Sequence, residues 1–442
     1  MSHSADSRSP KDDGRRPEPG RTHRNVTGRA LLVIGGAVVA VVVGAVAIAF
    51  SRPVRKTHEL VDRALAPAPV PRGVATHALV LGMASPFTGA NRELGKGMRA
   101  GVEAALAEVN AAGGVHGRQL RLVAVDDGYE PSRTLPAMRQ LVEKDRVFAV
   151  VGNVGTPTAA VAVPYCMQQK VVFFGALSGG DLLRRTPPDR YVFNFRPSYA
   201  QETAAAVRWL TGARHVAAGR IAVFAQEDEF GDSGWRGASD ELRARGADPA
   251  RALRVGYRRN TDEVTGAVAT LKQRARDVDA VVMVATYQAA AAFIRSLRAA
   301  GLRQVVTNVS AVDSDALAEE LVSDGPKAAE GVLVTQIVPL PTSHAPAVAR
   351  FQQAMARHGA GARPGFLALE GFVAAQILIE GLRRAGTDLD TERLVAGLES
   401  IRDLDVGIGA RISFSPTDHQ GSRQVWGTLL QPDGTWKQTT LE

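Results

Sequence analysis

The stretch Val147-Phe148-Ala149-Val150-Val151-Gly152-Asn153-Val154-Gly155-Thr156-Pro157-Thr158, with the run that continues to Leu183, decides how this chain is read. A helix-like segment extends to Lys170. A second apolar run, Val171-Val172-Phe173-Phe174, then ends in another small-residue turn, Gly175-Ala176-Leu177-Ser178-Gly179-Gly180-Asp181. The pattern is strand, turn, helix, strand, turn. Both strands are short, apolar and rich in β-branched or aromatic residues, as strands covered on both faces are. In an open parallel sheet such turns meet at the carboxyl edge, where ligands bind. Free N–H groups and hydroxyls with little side-chain bulk make a seat there for a small anion such as a carboxylate. Taken alone, Gly155-Thr156-Pro157-Thr158 reads first as an ordinary helix start with Pro157 at its first position, and it is the rest of the chain that turns the reading towards a ligand seat.

Outward from this stretch the same alternation repeats. Towards the N-terminus, strand-like Ala78–Met83 and Gln119–Asp126 flank a helical Leu94–Asn110 stopped by Gly113-Gly114, and a helical stretch to Lys144 places Pro136 near its start. Towards the C-terminus, Tyr191–Phe195 reads as a connecting strand and Gln201–Thr211 as a helix. A second series follows, with strands at Ile221–Phe224, Leu253–Gly256, Ala280–Val284 and Gln304–Val309 separated by helices at Gly234–Arg245, Val264–Ala275 and Ala289–Ala300. Later come a strand at Val332–Gln336, helices near Ala347–Arg357, Ala368–Arg384 and Thr391–Leu398, and strand-like Ala410–Phe414, Val425–Leu430 and Trp436–Thr439, with Pro432-Asp433-Gly434 as a hairpin turn. Two βα series of similar size predict an α/β protein of two doubly wound lobes, and a ligand site at their interface.

The 442 residues, 45% of them hydrophobic, allow cores of this size. The net charge of +8 is concentrated outside the two series: residues 1–29 carry +3 and residues 51–76 another +3, leaving +2 for residues 77–442. Such a distribution gives no basic face for nucleic acid. The lone cysteine, Cys166, excludes an internal disulfide, and the nine histidines show no ligand spacing, so neither a metal nor another cofactor is expected.

Between the two basic stretches lies Ala30–Phe50, 21 residues without a charge. At 1.5 Å per residue this spans a bilayer core of about 30 Å, and it exceeds a signal-peptide core of about 7–15 residues. The expectation is one N-terminal transmembrane helix acting as an uncleaved anchor in the inner membrane. Cleavage at Ala47-Ile48-Ala49, releasing a soluble periplasmic protein, is the second choice. Residues 1–29 read as a disordered tail and residues 51–76 as a Pro/Ala-rich linker.

Catalytic patterns fail on context. Gly231-Asp232-Ser233-Gly234 echoes a serine-protease nucleophile, but the chain is not all-β and has no Ala-Ala-His-Cys segment. The acidic pairs Asp126-Asp127 and Glu227-Asp228-Glu229 lack a nucleophile or metal ligand and read as solvated strand-end carboxylates. Nothing matches a dinucleotide or Walker A loop. An enzyme is not expected.

From His77 to about Gly386, and more weakly to the C-terminus, the chain resembles the branched-chain amino-acid type of periplasmic substrate-binding protein, the receptor of an ABC importer. The matching blocks are Gly89 with Leu94-Gly95-Lys96-Gly97-Met98-Arg99-Ala100-Gly101; Val109-Asn110-Ala111-Ala112-Gly113-Gly114-Val115-His116-Gly117-Arg118; Asp126-Asp127-Gly128-Tyr129-Glu130-Pro131; and Gly155-Thr156-Pro157-Thr158. They continue with Phe230-Gly231, Ala299-Ala300-Gly301-Leu302 and Leu369-Glu370-Gly371-Phe372. The resemblance implies two lobes joined by three crossovers, the type I periplasmic-binding-protein fold, with residues 77–198 and 333–424 in the first lobe and 199–332 and 425–442 in the second.

It implies that the first lobe holds the ligand's carboxylate with Thr156, Thr158 and the turn Ala176, Ser178 and Gly179, and that Phe230 and Tyr287 cover it from the second. The acid that holds the ligand's ammonium in that family is missing: the matching stretch reads Thr307-Asn308-Val309-Ser310-Ala311, where Ser310 is a ligand candidate. Either Glu227, Asp313 or Glu370 substitutes, or the ligand is a carboxylate or amide without the amine. The partners implied are a small carboxylate-bearing ligand and the permease subunits of an ABC importer. The alternative is a ligand-sensing ectodomain acting with a separate signalling protein.

Overall fold

The computed structural model describes residues 71–441 except 324, 326, 327 and 360. The expected apolar span Ala30–Phe50 lies outside these residues; among the described residues no helix is long and apolar enough to cross a membrane.

The first sheet is all parallel: β1 (Ala78–Ser85), β2 (Gln119–Asp126), β3 (Ala149–Val151), β4 (Val172–Phe174) and β5 (Val192–Phe193), in the order β2-β1-β3-β4-β5. The inner strands β3 and β4 are buried at every residue, so their near-continuous apolar character follows from helices on both faces. Those helices include α1 (Arg92–Ala111), α2 (Pro131–Arg139, continued by a π turn over Gln140–Lys144) and α3 (Thr156–Gln169). α2 begins at Pro131, which leaves Pro136 inside the helix rather than near its start. The helix opens at Pro131 because a proline there gives up no intrahelical bond.

The second sheet holds β6 (Ile221–Gln226), β7 (Arg254–Tyr257), β8 (Ala280–Val284), β9 (Val305–Asn308) and β10 (Val332–Gln336). Their order, β7-β6-β8-β9-β10, repeats that of the first sheet, and the antiparallel β13 (Trp426–Leu430) and β14 (Trp436–Thr439) extend it beyond β10. β11 (Leu404–Asp405) and β12 (Arg411–Ile412) form a separate small ribbon. Helices α4 (Tyr199–Gly212), α5 (Glu229–Ala244), α6 (Thr265–Gln273), α7 (Tyr287–Ala299) and α8 (Ser314–Val322) belong to this series. α8 has no counterpart in the sequence reading, and α5 starts five residues before the expected Gly234 because Asp228 caps it through the Phe230 N–H.

β10 is hydrogen-bonded between β9 and β13, so the chain returns to the first lobe after Gln336, not at residue 333. There follow α9 (Pro346–His358), α10 (Phe366–Ala385) and α11 (Thr391–Glu399). α10 lies directly on α1: a Cβ at Gly101 would sit 1.8 Å from the Ala368 carbonyl oxygen, and one at Gly371 would sit 2.3 Å from that of Met98. The two glycines let the helix backbones touch. The first crossover, between β5 and α4, and the third, leading into β13, run side by side, with Asn194 N–H donating to the His419 carbonyl at 2.9 Å and Gly421 N–H to that of Asn194 at 2.7 Å.

Candidate functional site

In each sheet the strand order reverses beside the first strand of its series, β1 against β3 and β6 against β8, and such switch points leave a crevice at the carboxyl ends. The two crevices face each other. Between them lies a cavity of about 10 Å³, lined from the first lobe by Leu94, Tyr129, Val154, Gly155 and Leu177, from the start of α4 by Tyr199, and from the rest of the second lobe by Phe230, Thr286 and Ala311. Small-molecule clefts measure about 300–1,000 Å³, so the lobes stand closed on one another.

At the floor of the first lobe the Thr156 and Ser178 hydroxyls are hydrogen-bonded to each other at 2.8 Å, and the Ser178 oxygen accepts the Gly180 N–H at 3.1 Å. Both side chains are buried. Thr156 opens α3, whose N-terminal end carries the positive pole of the helix. Gly155 adopts φ +107, and a Cβ there would strike the Tyr129 ring at 2.5 Å, so the turn needs glycine. The Thr158 hydroxyl donates to the carbonyls of Val154 and Gly155, which holds the turn. Ala176 is buried in the matching turn, and the Gly179 carbonyl accepts the Tyr199 N–H at 2.8 Å. The guanidinium of Arg184 ties this turn to the crossover by donating to the carbonyls of Ser178, Gly180, Arg196 and Pro197; burial lowers its pKa to about 9.

Aromatic rings close the other side. Phe230 lies 4.9 Å from Tyr199, centroid to centroid. Tyr129, at φ +61, is brought in by Asp127, a fully buried carboxylate that accepts the Tyr129 N–H and the Thr134 hydroxyl, each at 3.0 Å. Burial pushes the Asp127 carboxyl up to about 6. Its neighbour Asp126 caps the β1–α1 loop through the Phe87 and Thr88 N–H groups and the Thr88 hydroxyl; burial opposes its charge, yet these bonds and Arg133 hold it at about 2. The solvated reading of this pair therefore gives way to a structural one. Tyr287 is buried at the start of α7, where burial raises its hydroxyl to about 12.

Of the residues expected to bind ligand, the structure puts Phe230 in the cavity wall and brings Thr156 and Ser178 together. Thr158, Ala176, Gly179, Tyr287 and Ser310 are not in the lining, to which the nearby residues Gly155, Leu177, Thr286 and Ala311 contribute. Tyr129 and Tyr199 were not singled out by the sequence reading. Tyr129 stood inside a quoted block, but only the fold carries its ring across to Gly155.

The three carboxylates considered for an ammonium lie elsewhere. Glu227 is exposed. Asp313 caps α8 through the Ala316 N–H at 3.2 Å, with burial and Asp315 raising it to about 7. Glu370 is buried and accepts Arg196 Nη1 at 3.0 Å. No carboxylate is among the described residues that line the cavity.

The lobes are also clasped at the rim. Asn260 on the second lobe accepts from Asn91 Nδ2 at 2.7 Å and donates to Glu130 Oε1 at 2.6 Å and the Gly128 carbonyl at 3.2 Å. Arg259 pairs with Glu130 at 3.2 Å, and Arg236 bonds Asp181 at 2.6 Å.

A family profile described as periplasmic binding protein matches residues 78–435. An "Amino acid binding protein" of Pseudomonas aeruginosa is 28% identical over 268 residues, 60% of this chain and 69% of that one. The crystal structure of a possible leucine/isoleucine/valine-binding protein from Rhodopirellula baltica superimposes with a TM-score of 0.78 at 35% identity, covering 85% of this chain and 98% of the other. A Thermus thermophilus branched-chain amino acid ABC transporter structure with bound valine shares the fold, with a TM-score of 0.72 at 18% identity over 83% of this chain and 96% of its own. With this profile match over most of its length and the two-lobed fold, the chain belongs to the periplasmic binding protein family, as a solute-binding protein of the branched-chain amino-acid type.

Proposed function

We infer that the protein is the extracytoplasmic receptor of an ABC importer, closing its two lobes on a small carboxylate-bearing solute: a branched-chain amino acid or a related organic acid or amide. The observation that carries this reading is the buried Thr156–Ser178 hydroxyl pair at the N-terminal end of α3, next in sequence to Gly155 and Leu177, which line the cavity together with Tyr199 and Phe230. Fixed hydroxyls and a helix N-terminus suit an anion, and an apolar, aromatic wall suits a branched or flat body. No step of bond making is assigned to the cleft. Its two lobes supply complementary halves of one binding site, and hinge motion brings them together.

The lining carries no carboxylate for an ammonium, and burying that charge unpaired costs several kcal/mol. Carboxylates without an α-amine are therefore expected to bind better than their amino counterparts. The test is a thermal-shift screen of the purified protein, followed by calorimetry on matched pairs such as 4-methylpentanoate and L-leucine. Consistent preference for the amino member, abolished by Glu370→Gln or Glu227→Gln, would overturn the preference. Absence of binding by every carboxylate would overturn the receptor reading itself.

A further inference from the structure

The first crossover carries a charge that both lobes use. Arg196 is fully buried between β5 and α4. Its Nη1 donates to Glu370 Oε1 on α10 of the first lobe at 3.0 Å. Its Nη2 donates to Glu202 Oε1 on α4 at 3.2 Å and to the Ser310 hydroxyl of the second lobe. Glu202 is anchored within the second lobe by the Ser310 N–H at 2.8 Å, the Ser310 hydroxyl at 3.1 Å and the Thr335 hydroxyl at 2.6 Å. Glu370 has Arg196 as its hydrogen-bond partner. The same guanidinium lies 5.6 Å from the centre of the Tyr199 ring, which forms part of the cavity wall.

One guanidinium thus joins the first lobe, the second lobe and a wall of the cleft. Glu370 lies on α10 of the first lobe and Ser310 in the second, so a rotation that carried α10 away from Ser310 would stretch one of the two bonds. A charge-assisted hydrogen bond made in the closed form is then exchanged for one to entering water, so the closed form is favoured by the net worth of that bond. Resting on the reading of the cleft as a two-lobed clamp, we propose that Arg196 is the positioning residue of closure: its bonds to Glu370 and Ser310 form together only when the lobes meet, they hold Tyr199 against the cavity, and they bias the protein towards the closed form before any solute binds. The closed cleft is then built into the chain, and a solute adds to a population that already exists. Rim contacts such as Arg259–Glu130 are partly exposed and worth less.

The test reads lobe separation directly. Cysteines introduced in the full chain as Arg121→Cys on the first lobe and Lys272→Cys on the second are both at exposed positions, whereas native Cys166 is buried. Spin labels on them report the distance distribution by pulsed dipolar spectroscopy with no solute added. The parent is expected to show a major short-distance component. Arg196→Met combined with Glu370→Gln removes one charge of each sign, so the net charge of the buried group is unchanged while Glu202 keeps its bonds from Ser310 and Thr335, and the short component is expected to fall about threefold or more. Ser310→Ala, which removes one hydroxyl and no charge, is expected to give a smaller fall in the same direction.

A residue that merely supports the fold would lower the melting temperature without redistributing the distances. A folded paired variant with the parent's distribution overturns the proposal, as does a parent without a short component. If the paired variant does not fold, Ser310→Ala decides alone, and an unchanged distribution overturns it. Failure of the clamp reading is distinguishable, because it appears as absence of any thermal shift of the unlabelled parent with the carboxylate panel, whatever the labels report.

Discussion

Thr156 Oγ1 and Ser178 Oγ lie 2.8 Å apart although 22 residues separate them in the chain. Each closes the carboxyl end of a neighbouring strand, β3 or β4, so the parallel register of those strands brings the hydroxyls together. In this arrangement each hydroxyl has the other as a hydrogen-bond partner. A carboxylate entering the cleft offers both a stronger acceptor. Thr156→Val and Ser178→Ala are each expected to weaken binding of the acid identified by screening by about tenfold to a hundredfold, since a hydrogen bond to a charged group is worth roughly 1.5–3 kcal/mol. Calorimetry measures the loss, and a melting temperature within a few degrees of the parent shows that folding is spared.

Asn260 sits at φ +58 and joins Asn91, Gly128 and Glu130 across the rim. Asn260→Gly keeps the left-handed backbone accessible while removing the side chain. Loss of these bonds, at about 1–2 kcal/mol net, is expected to speed solute dissociation roughly fivefold to thirtyfold. Stopped-flow dissociation traces check this; an unchanged rate would show that the clasp carries no part of closure.

Asp127 gives the protein a pH dependence with a definite sign. Its carboxyl titrates near 3.8 when unfolded and, raised chiefly by burial, at about 6 when folded. Between those values the folded form keeps the proton and the unfolded form loses it. The stability associated with the neutral acid is therefore complete below pH 3.8 and lost as pH rises through about 6. Asp127→Asn is expected to remove that slope, changing the difference between variant and parent by about 1–3 kcal/mol from pH 4 to 7. Denaturant unfolding at four pH values measures it.

Two glycines on helices predict opposite outcomes. A Cβ at Gly101 would meet the Ala368 carbonyl at 1.8 Å, so Gly101→Ala is expected to destabilise by about 1–3 kcal/mol or more through forced separation of α1 and α10. At Gly266 in α6 nothing lies within 4 Å, and Gly266→Ala is expected to be neutral or to stabilise by up to about 1 kcal/mol. Thermal unfolding of the two variants measures both effects.

The apolar stretch Ala30–Phe50 leads us to expect that the mature protein keeps its N-terminus and stays with the membrane after a high-salt wash. Mass spectrometry that finds a soluble protein starting after Ala49 would refute the anchor and leave the receptor reading as it stands.

The sequence by itself determined the alternation of elements and hence the two-lobed α/β class, because apolar runs of strand length and helices of three-and-four spacing have periods that no other fold satisfies as well. β2, β8, β10 and β14 end where the residues say they do. It also marked the glycine turns at Gly155 and Gly175–Gly180 as a shared edge, since a turn after a parallel strand lies at the carboxyl end whatever follows it. Other quoted blocks had a meaning that the sequence did not disclose. Gly101 and Gly371 are places where two helix backbones touch, and Asn110 bonds both the N–H and the carbonyl of Leu120 at 2.8 Å. Only the tertiary structure decided which partners charges and rings find. Asp127 looked solvated and is buried, Glu370 looked free for a ligand and is held by Arg196, and Tyr129 reaches the cleft from a turn. The reason is physical. Backbone periodicity is local and survives in the bare sequence, whereas burial and ion pairing depend on residues such as Arg196 and Glu370, 174 residues apart, that meet only in the folded protein.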